Sequence, residues 1–201
     1  DTPMLIIGQA DANDMNKSKW SKSIVKVQVL ETKVAGELDP EEPAKETVGD
    51  ATAETAEISF VGNGFVKEGY FSIKGLKNAE GIEKGEFKIS WMNKAGTTGT
   101  STVEGASMKN ILKDIHGITD KANTIVFTSS DGFQKVLPLD DMFTKDKDGN
   151  RPVLAWKVDD SKMVPDEYGR INIDVNHPSY FYRQNEEGVW VRVDLIGGVY
   201  S

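Results

Sequence analysis

VEGASMKNILKDIHGITDKANTIVFTSSDGFQKVLPLDDMF, residues 103–143, decides the fold, because helix, cap, strand, turn and strand can all be read there from local chemistry. Met108, Ile111, Leu112 and Ile115 recur at i, i+3, i+4 and i+7, which predicts a helix over 107–116 with one apolar face. Ser107 stands at the N-cap position. Gly117 falls just past the last periodic residue, where a left-handed position favours glycine, and Ile118 follows to pack back on the helix. His116 lands in the last turn, where free carbonyls favour a cation, so its expected role is a C-terminal cap. After a polar joint, Ile125 to Thr128 is β-branched and aromatic, Asp131-Gly132 is a two-residue hairpin signal, and Phe133 to Leu137 alternates. The stretch therefore predicts a helix feeding a hairpin over 124–137 rather than a parallel βαβ unit.

Strand patterns continue on both sides. Val25, Val27 and Val29 alternate with Lys26 and Gln28 inside Ser23 to Thr32, and Ile58 to Ile73 resumes the pattern around a Gly62-Asn63-Gly64 turn. Gly75 to Gly85 reads as a polar connection, followed by Phe87, Ile89 and Trp91 on one strand face. Val153 to Val158, Ile171 to Val175 and Val189 to Ile196 complete the series, with a turn at Asp159-Asp160. The expected core includes Val27, Phe71, Ile89, Leu112, Ile125, Phe127, Leu154 and Val191. The fold class is α+β, mostly antiparallel strands with few helices. Residues 1–19 read as an N-terminal arm and 20–201 as a single domain. Within it, Gly36 to Glu57 is rich in carboxylates and small residues and reads as a mobile acidic loop.

Composition narrows the function. The 201 residues carry a net charge of -8 with 38% hydrophobic residues, and mean hydropathy is -0.43. No apolar run approaches the roughly 20 residues that span a bilayer, so no membrane insertion is expected. An acidic chain lacks the basic face that nucleic acid requires. The expected partners are a protein or a small anionic ligand. The absence of cysteine removes disulfides, thiolate metal ligands and cysteine nucleophiles together. Asp1-Thr2-Pro3 followed by Met4 to Ile7 reads as a mature terminus after signal-peptide removal, and the expected location is extracytoplasmic or secreted.

Chemistry-bearing motifs are sparse. The glycines at 62, 64 and 69 echo a dinucleotide fingerprint, but Phe65 to Ile73 looks extended where that fingerprint opens a helix. Thr144 to Arg151 resembles half of a calcium loop without acids at both ends and reads as a turn. Asn16-Lys17-Ser18 matches a glycosylation sequon by chance. Asn93 to Thr102, NKAGTTGTST, replaces apolar residues with glycine and hydroxyl groups. It is either a flexible surface loop or a loop whose N–H groups, hydroxyls and Lys94 cradle an anion. His177, before Pro178 in NHPSYFYRQ, is the better functional histidine, and neither Ser107 nor Ser130 has a nucleophile-elbow context.

One family resemblance covers roughly residues 58–196. Val103-Glu104-Gly105, Ile111-Leu112 and Gly117-Ile118, then SSDGF (129–133) and LPLDDM (137–142), resemble the centre of the sulfite-oxidase-type molybdopterin-binding domain. Phe60 to Leu76 (FVGNGFVKEGYFSIKGL) resembles its opening strands, Val153 to Trp156 the strand after its hairpin, Tyr168 to Ile171 its late Gly-Arg segment and Val189 to Ile196 its closing strand. The resemblance implies a sulfite-oxidase-like fold. In catalytic members a cysteine thiolate binds molybdenum shortly before the central helix. The matching region here, Trp91 to Thr102, holds no cysteine, and neither amide nor hydroxyl replaces a soft anionic ligand. The resemblance therefore implies a non-catalytic binding or accessory module, pictured as docking on a secreted redox complex. The alternatives are an oxidoreductase whose molybdenum is held by the dithiolene of molybdopterin alone, and a structural surface or assembly protein. No catalytic residue, no metal ligand and no cofactor is expected, with molybdopterin as the alternative. A pocket beside the 93–102 loop would be lined by Asn93, Lys94, Thr97 and Thr98, with Arg170 and His177 contributed by the late loops.

Overall fold

The computed structural model describes residues 3–31, 45–159, 180–184 and 190–194, with side chains described up to Val158. Twelve strands are seen there: β1 (Met4–Ile6), β2 (Ile24–Glu31), β3 (Thr47–Val48), β4 (Ile58–Val61), β5 (Glu68–Phe71), β6 (Lys84–Met92), β7 (Thr98–Ser107), β8 (Ala122–Ser129), β9 (Gln134–Pro138), β10 (Val153–Asp159), β11 (Tyr180–Gln184) and β12 (Trp190–Asp194). Helices are short: α1 (Ile73–Asn78), and α2 (Met108–Asn110) running on into a π-helical turn (Ile111–His116). Single 3-10 turns occupy Asn16–Lys19 and Leu139–Met142.

Two sheets carry most of the strands. One has the order β3-β5-β4-β2-β8-β9 and the other β1-β10-β7-β6, while β11 and β12 pair with each other. Only β2–β4 and β3–β5 run parallel among the described pairs, so the architecture is α+β and mostly antiparallel. Strand β7 belongs to the four-stranded sheet and β8 to the six-stranded one. The helical stretch between them therefore carries the chain from one sheet to the other, and 103–143 forms no parallel βαβ unit.

The main core lies where the sheets face each other. Val27, Val29, Phe60, Ile125 and Phe127 come from one sheet, and Leu5, Ala106, Leu154 and Trp156 from the other. Helical Met108, Ile111 and Leu112 join this cluster with α1 residues Ile73 and Leu76. Ile6, Ile89, Val103, Val153 and Ala155 form a second buried cluster, so the central strands of the four-stranded sheet are apolar on both faces. Seven of the expected core residues are buried, namely Val27, Phe71, Ile89, Leu112, Ile125, Phe127 and Leu154. Val191 lies on β12, outside the residues whose side chains are described, and the expected strand over 171–175 also lies outside the described residues.

Several local expectations need correction. The 75–85 connection contains a helix, because Ser72 caps α1 through a Gly75 N–H to Oγ bond of 2.9 Å and Glu57 accepts from Ile73 N at 2.5 Å. Asp50 accepts from Ser72 N and Oγ, so carboxylates of the acidic stretch brace α1 where a solvated loop is expected. Residues 36–44 of that stretch lie outside the described residues. Ser107 stands at the start of α2 but its Oγ makes no bond; the turn is seated instead by Ser107 N to Glu83 O and Met108 N to Pro152 O, both 2.9 Å.

The 124–137 hairpin forms with a three-residue loop, Ser130 to Gly132, rather than a two-residue one. Ser129 N donates to Phe133 O and Gly132 N to Ser129 O. A type I′ turn needs positive φ at both central residues, and Asp131 does not have it; only Gly132, at φ +85°, does. The N-terminal residues are joined to the sheets. β1 pairs with β10, and Asn16 is fully buried, donating to Ile7 O (2.6 Å) and Ser90 O (3.1 Å) while accepting from Met92 N (2.9 Å). A sequon asparagine so enclosed offers no amide to a glycan on the folded chain.

Candidate functional site

The four described candidates, Asn93, Lys94, Thr97 and Thr98, meet at the tip joining β6 to β7. The ladder of this pair is unbroken from Lys84↔Ala106 to Met92↔Thr98. What looks in sequence like a ten-residue loop is therefore a hairpin, with Thr98 to Thr102 already in β7. Threonine and serine suit a pleated strand, and Gly99 lies against the Trp91 ring, where a β-carbon would collide with it. Trp91 Nε1 donates to Ser101 Oγ at 2.9 Å.

At the tip, Asn93 N donates to Thr97 O (2.9 Å), Gly96 N to Asn93 O (3.0 Å), and the Asn93 side-chain oxygen accepts from both Ala95 N and Thr97 N (2.9 Å each). Asn93 is thus a turn cap. Its acceptor and the inward N–H groups close the loop on itself, which leaves no nest of free N–H groups for an anion. Lys94 projects into solvent and Thr97 is half-buried. The structure brings these four residues together on one tight turn. Arg170 and His177 lie outside the described residues.

The same loop recurs at 146–150. Asp146 N donates to Asn150 O, Gly149 N to Asp146 O, and Asp146 Oδ1 accepts from Asp148 N and Asn150 N at 2.9 and 2.7 Å. The half-calcium-loop pattern is therefore a self-capped turn, as the missing end acids predict. A shallow cleft of about 90 Å³ lies between this turn and residues 7–19, lined by Asp14, Lys19, Asp141, Lys145 and Asp146 among others. Asp14 is already held by Lys19 (3.2 Å) and by Ala10 N (3.0 Å). The cleft holds a few waters at about 30 Å³ each and falls well short of the roughly 300 Å³ of a small-molecule pocket. Among the described residues no group of three or more His, Asp or Glu is arranged to hold a metal ion.

His116 corrects the expected cap most sharply. The ring is fully buried, stacked on Phe60 (4.7 Å, 26°), tilted against Phe65 (5.0 Å) and edge-on to Phe71 (5.8 Å). Nδ1 lies 3.1 Å from the Lys67 carbonyl, which can only accept, so the proton is on Nδ1 and Nε2 has no partner. Burial lowers the pKa to about 4, opposed by the bond to the Lys67 carbonyl, and the imidazole is neutral near pH 7. The i→i+5 turn that ends at His116 rotates it to the core side of the helical stretch. Its spacing from Met108 and Leu112, at i+8 and i+4, is the sequence signal for that placement.

No protein-family model, curated protein or solved structure matches the chain.

Proposed function

We propose that the chain is a non-catalytic binding or accessory module, a cysteine-free relative of the sulfite-oxidase-type domain that docks on a protein partner of an extracytoplasmic redox complex. The observation that carries this reading is the Asn93 to Thr97 turn. In the stretch that resembles the metal-bearing loop, the side-chain oxygen of Asn93 accepts two backbone N–H groups and the remaining side chains are an exposed ammonium and hydroxyls. None is a soft anionic donor, and the whole chain has no cysteine to supply one. These residues do not fit a thiolate-ligated molybdenum. The antiparallel helix-to-hairpin unit at 103–143 supports the resemblance at the level of element order.

Purification from the native source, followed by metal analysis and fluorescence of a denatured extract for released pterin, tests the reading. The expected result is neither molybdenum nor pterin in stoichiometric amount, with no sulfite- or sulfoxide-directed redox activity. Equimolar molybdenum with pterin would overturn it in favour of a dithiolene-held oxidoreductase.

A further inference from the structure

Residues 116–119 and 62–67 are stitched together around one buried imidazole. Lys67 N donates to His116 O (2.9 Å), Val66 N to Gly117 O (3.2 Å) and Thr119 N to Gly64 O (3.0 Å), and Phe65 bridges Ile118. The ring itself bonds the Lys67 carbonyl on one side and meets three phenylalanine rings on the others. Gly69 is small enough to let it in, since a β-carbon there would lie 2.7 Å from His116 Cε1. Protonation would add an N–H at Nε2 that points at no acceptor, inside an apolar box that solvates no charge.

We propose that His116 is an acid-operated latch: neutral, it holds the 62–67 segment on the π-helical turn, and protonated, it leaves the phenylalanine box and releases that segment. Among the described residues no neighbouring charge offsets this. On its own turn, Asp114 bonds Asn110 (2.6 Å) and Lys113 lies over the Phe143 ring (4.3 Å). On the latched segment, Lys67 pairs with Glu46 at 2.8 Å, next to β3. On β5, Glu68 accepts from Gly62 N (2.9 Å), and Tyr70 alternates with the inward Gly69 and Phe71; β4 and β3 carry no titratable side chain. None of these groups bonds the ring.

The test is amide hydrogen exchange on the full chain from pH 7 to pH 3, corrected for intrinsic rates, in wild type and His116→Phe. The opening of Val66, Lys67 and Thr119, relative to Ile89 and Val103 in the four-stranded sheet, should rise on the order of 100-fold as pH falls from 6.5 towards 4 and then level off. In His116→Phe the same ratio should stay flat. A rise of equal size in the variant, or a flat ratio in wild type, would overturn the latch. Should the variant not fold, the wild-type imidazole titration decides: the chain has two histidines, and the His116 ring proton should titrate near pH 4. Titration near 6.5 with the three amides still protected would refute the proposal.

Discussion

At the scale of single residues, buried polar side chains set the sharpest expectations. His116 has a folded pKa of about 4 against an ordinary 6.5, so the unfolded chain binds the proton first and stability falls as pH drops through that window. Its contribution is complete above pH 6.5 and is lost by pH 4, a change of roughly 3 kcal/mol at 1.36 kcal/mol per pKa unit. Urea unfolding at pH 7 and pH 4 should show that loss in wild type beyond whatever His116→Phe loses from its carboxylates. Asn16 makes three bonds to backbone groups of two segments, Ile7 and strand β6, so Asn16→Ala should strand Met92 N and leave Ile7 O with Trp20 Nε1 and Ser90 O with Gln9 N as their donors. A cost of about 2–4 kcal/mol follows, read as a lower urea midpoint with an unchanged slope. At Gly69 an added methyl would strike both the Val48 carbonyl and the His116 ring. Gly69→Ala should therefore destabilise by more than about 2 kcal/mol, and the pH sensitivity described for His116 should shrink with it.

At the scale of elements, three turns share one device. Gly96, Gly132 and Gly149 have φ of +81°, +85° and +87°, each the third residue of a three-residue loop in which the residue before the loop donates its N–H to the carbonyl of the residue after it. Alanine at each should cost about 1 kcal/mol, because no neighbour lies within 4 Å and only the backbone conformation is strained. Asn93→Ala should cost a similar amount, as its side chain holds two N–H groups of the tip. The device was written in the sequence as Asn93-Lys94-Ala95-Gly96 and Asp146-Lys147-Asp148-Gly149, a cap residue three before a glycine. In the first of these, the run of threonines and glycines that follows hides the start of β7 from a reading by hydrophobicity alone. The apolar stripe of 108–115 and the alternation in β2 and β6 were legible because each buries one face at a fixed period, and the chain reversal after β8 because Asp131-Gly132 separates two runs of strand-forming residues. Helix α1 was not, because its hold on the core is Ile73 and Leu76 and its N-terminus is fixed by Asp50 and Glu57 from distant sequence. The spacing of His116 marks the core side, but its aromatic enclosure was hidden for the same reason: the three phenylalanines around it come from β4, β5 and the segment between them.

At the scale of the whole molecule, two mostly antiparallel sheets close on one core, and the helical stretch 108–116 crosses between them. Among the described residues no helix is long and apolar enough to cross a membrane. The tip that gathers Asn93, Lys94, Thr97 and Thr98 is closed by its own backbone and the Asn93 side chain, and the cleft between residues 7–19 and 141–152 is too small for a pterin. The central claim is that this scaffold serves recognition rather than molybdenum chemistry. Native mass spectrometry of the protein isolated from its source, without denaturation, tests it most directly. The account predicts a mass equal to the polypeptide alone or to the polypeptide with a second protein; a one-to-one increment matching a molybdenum pterin dithiolene would contradict it.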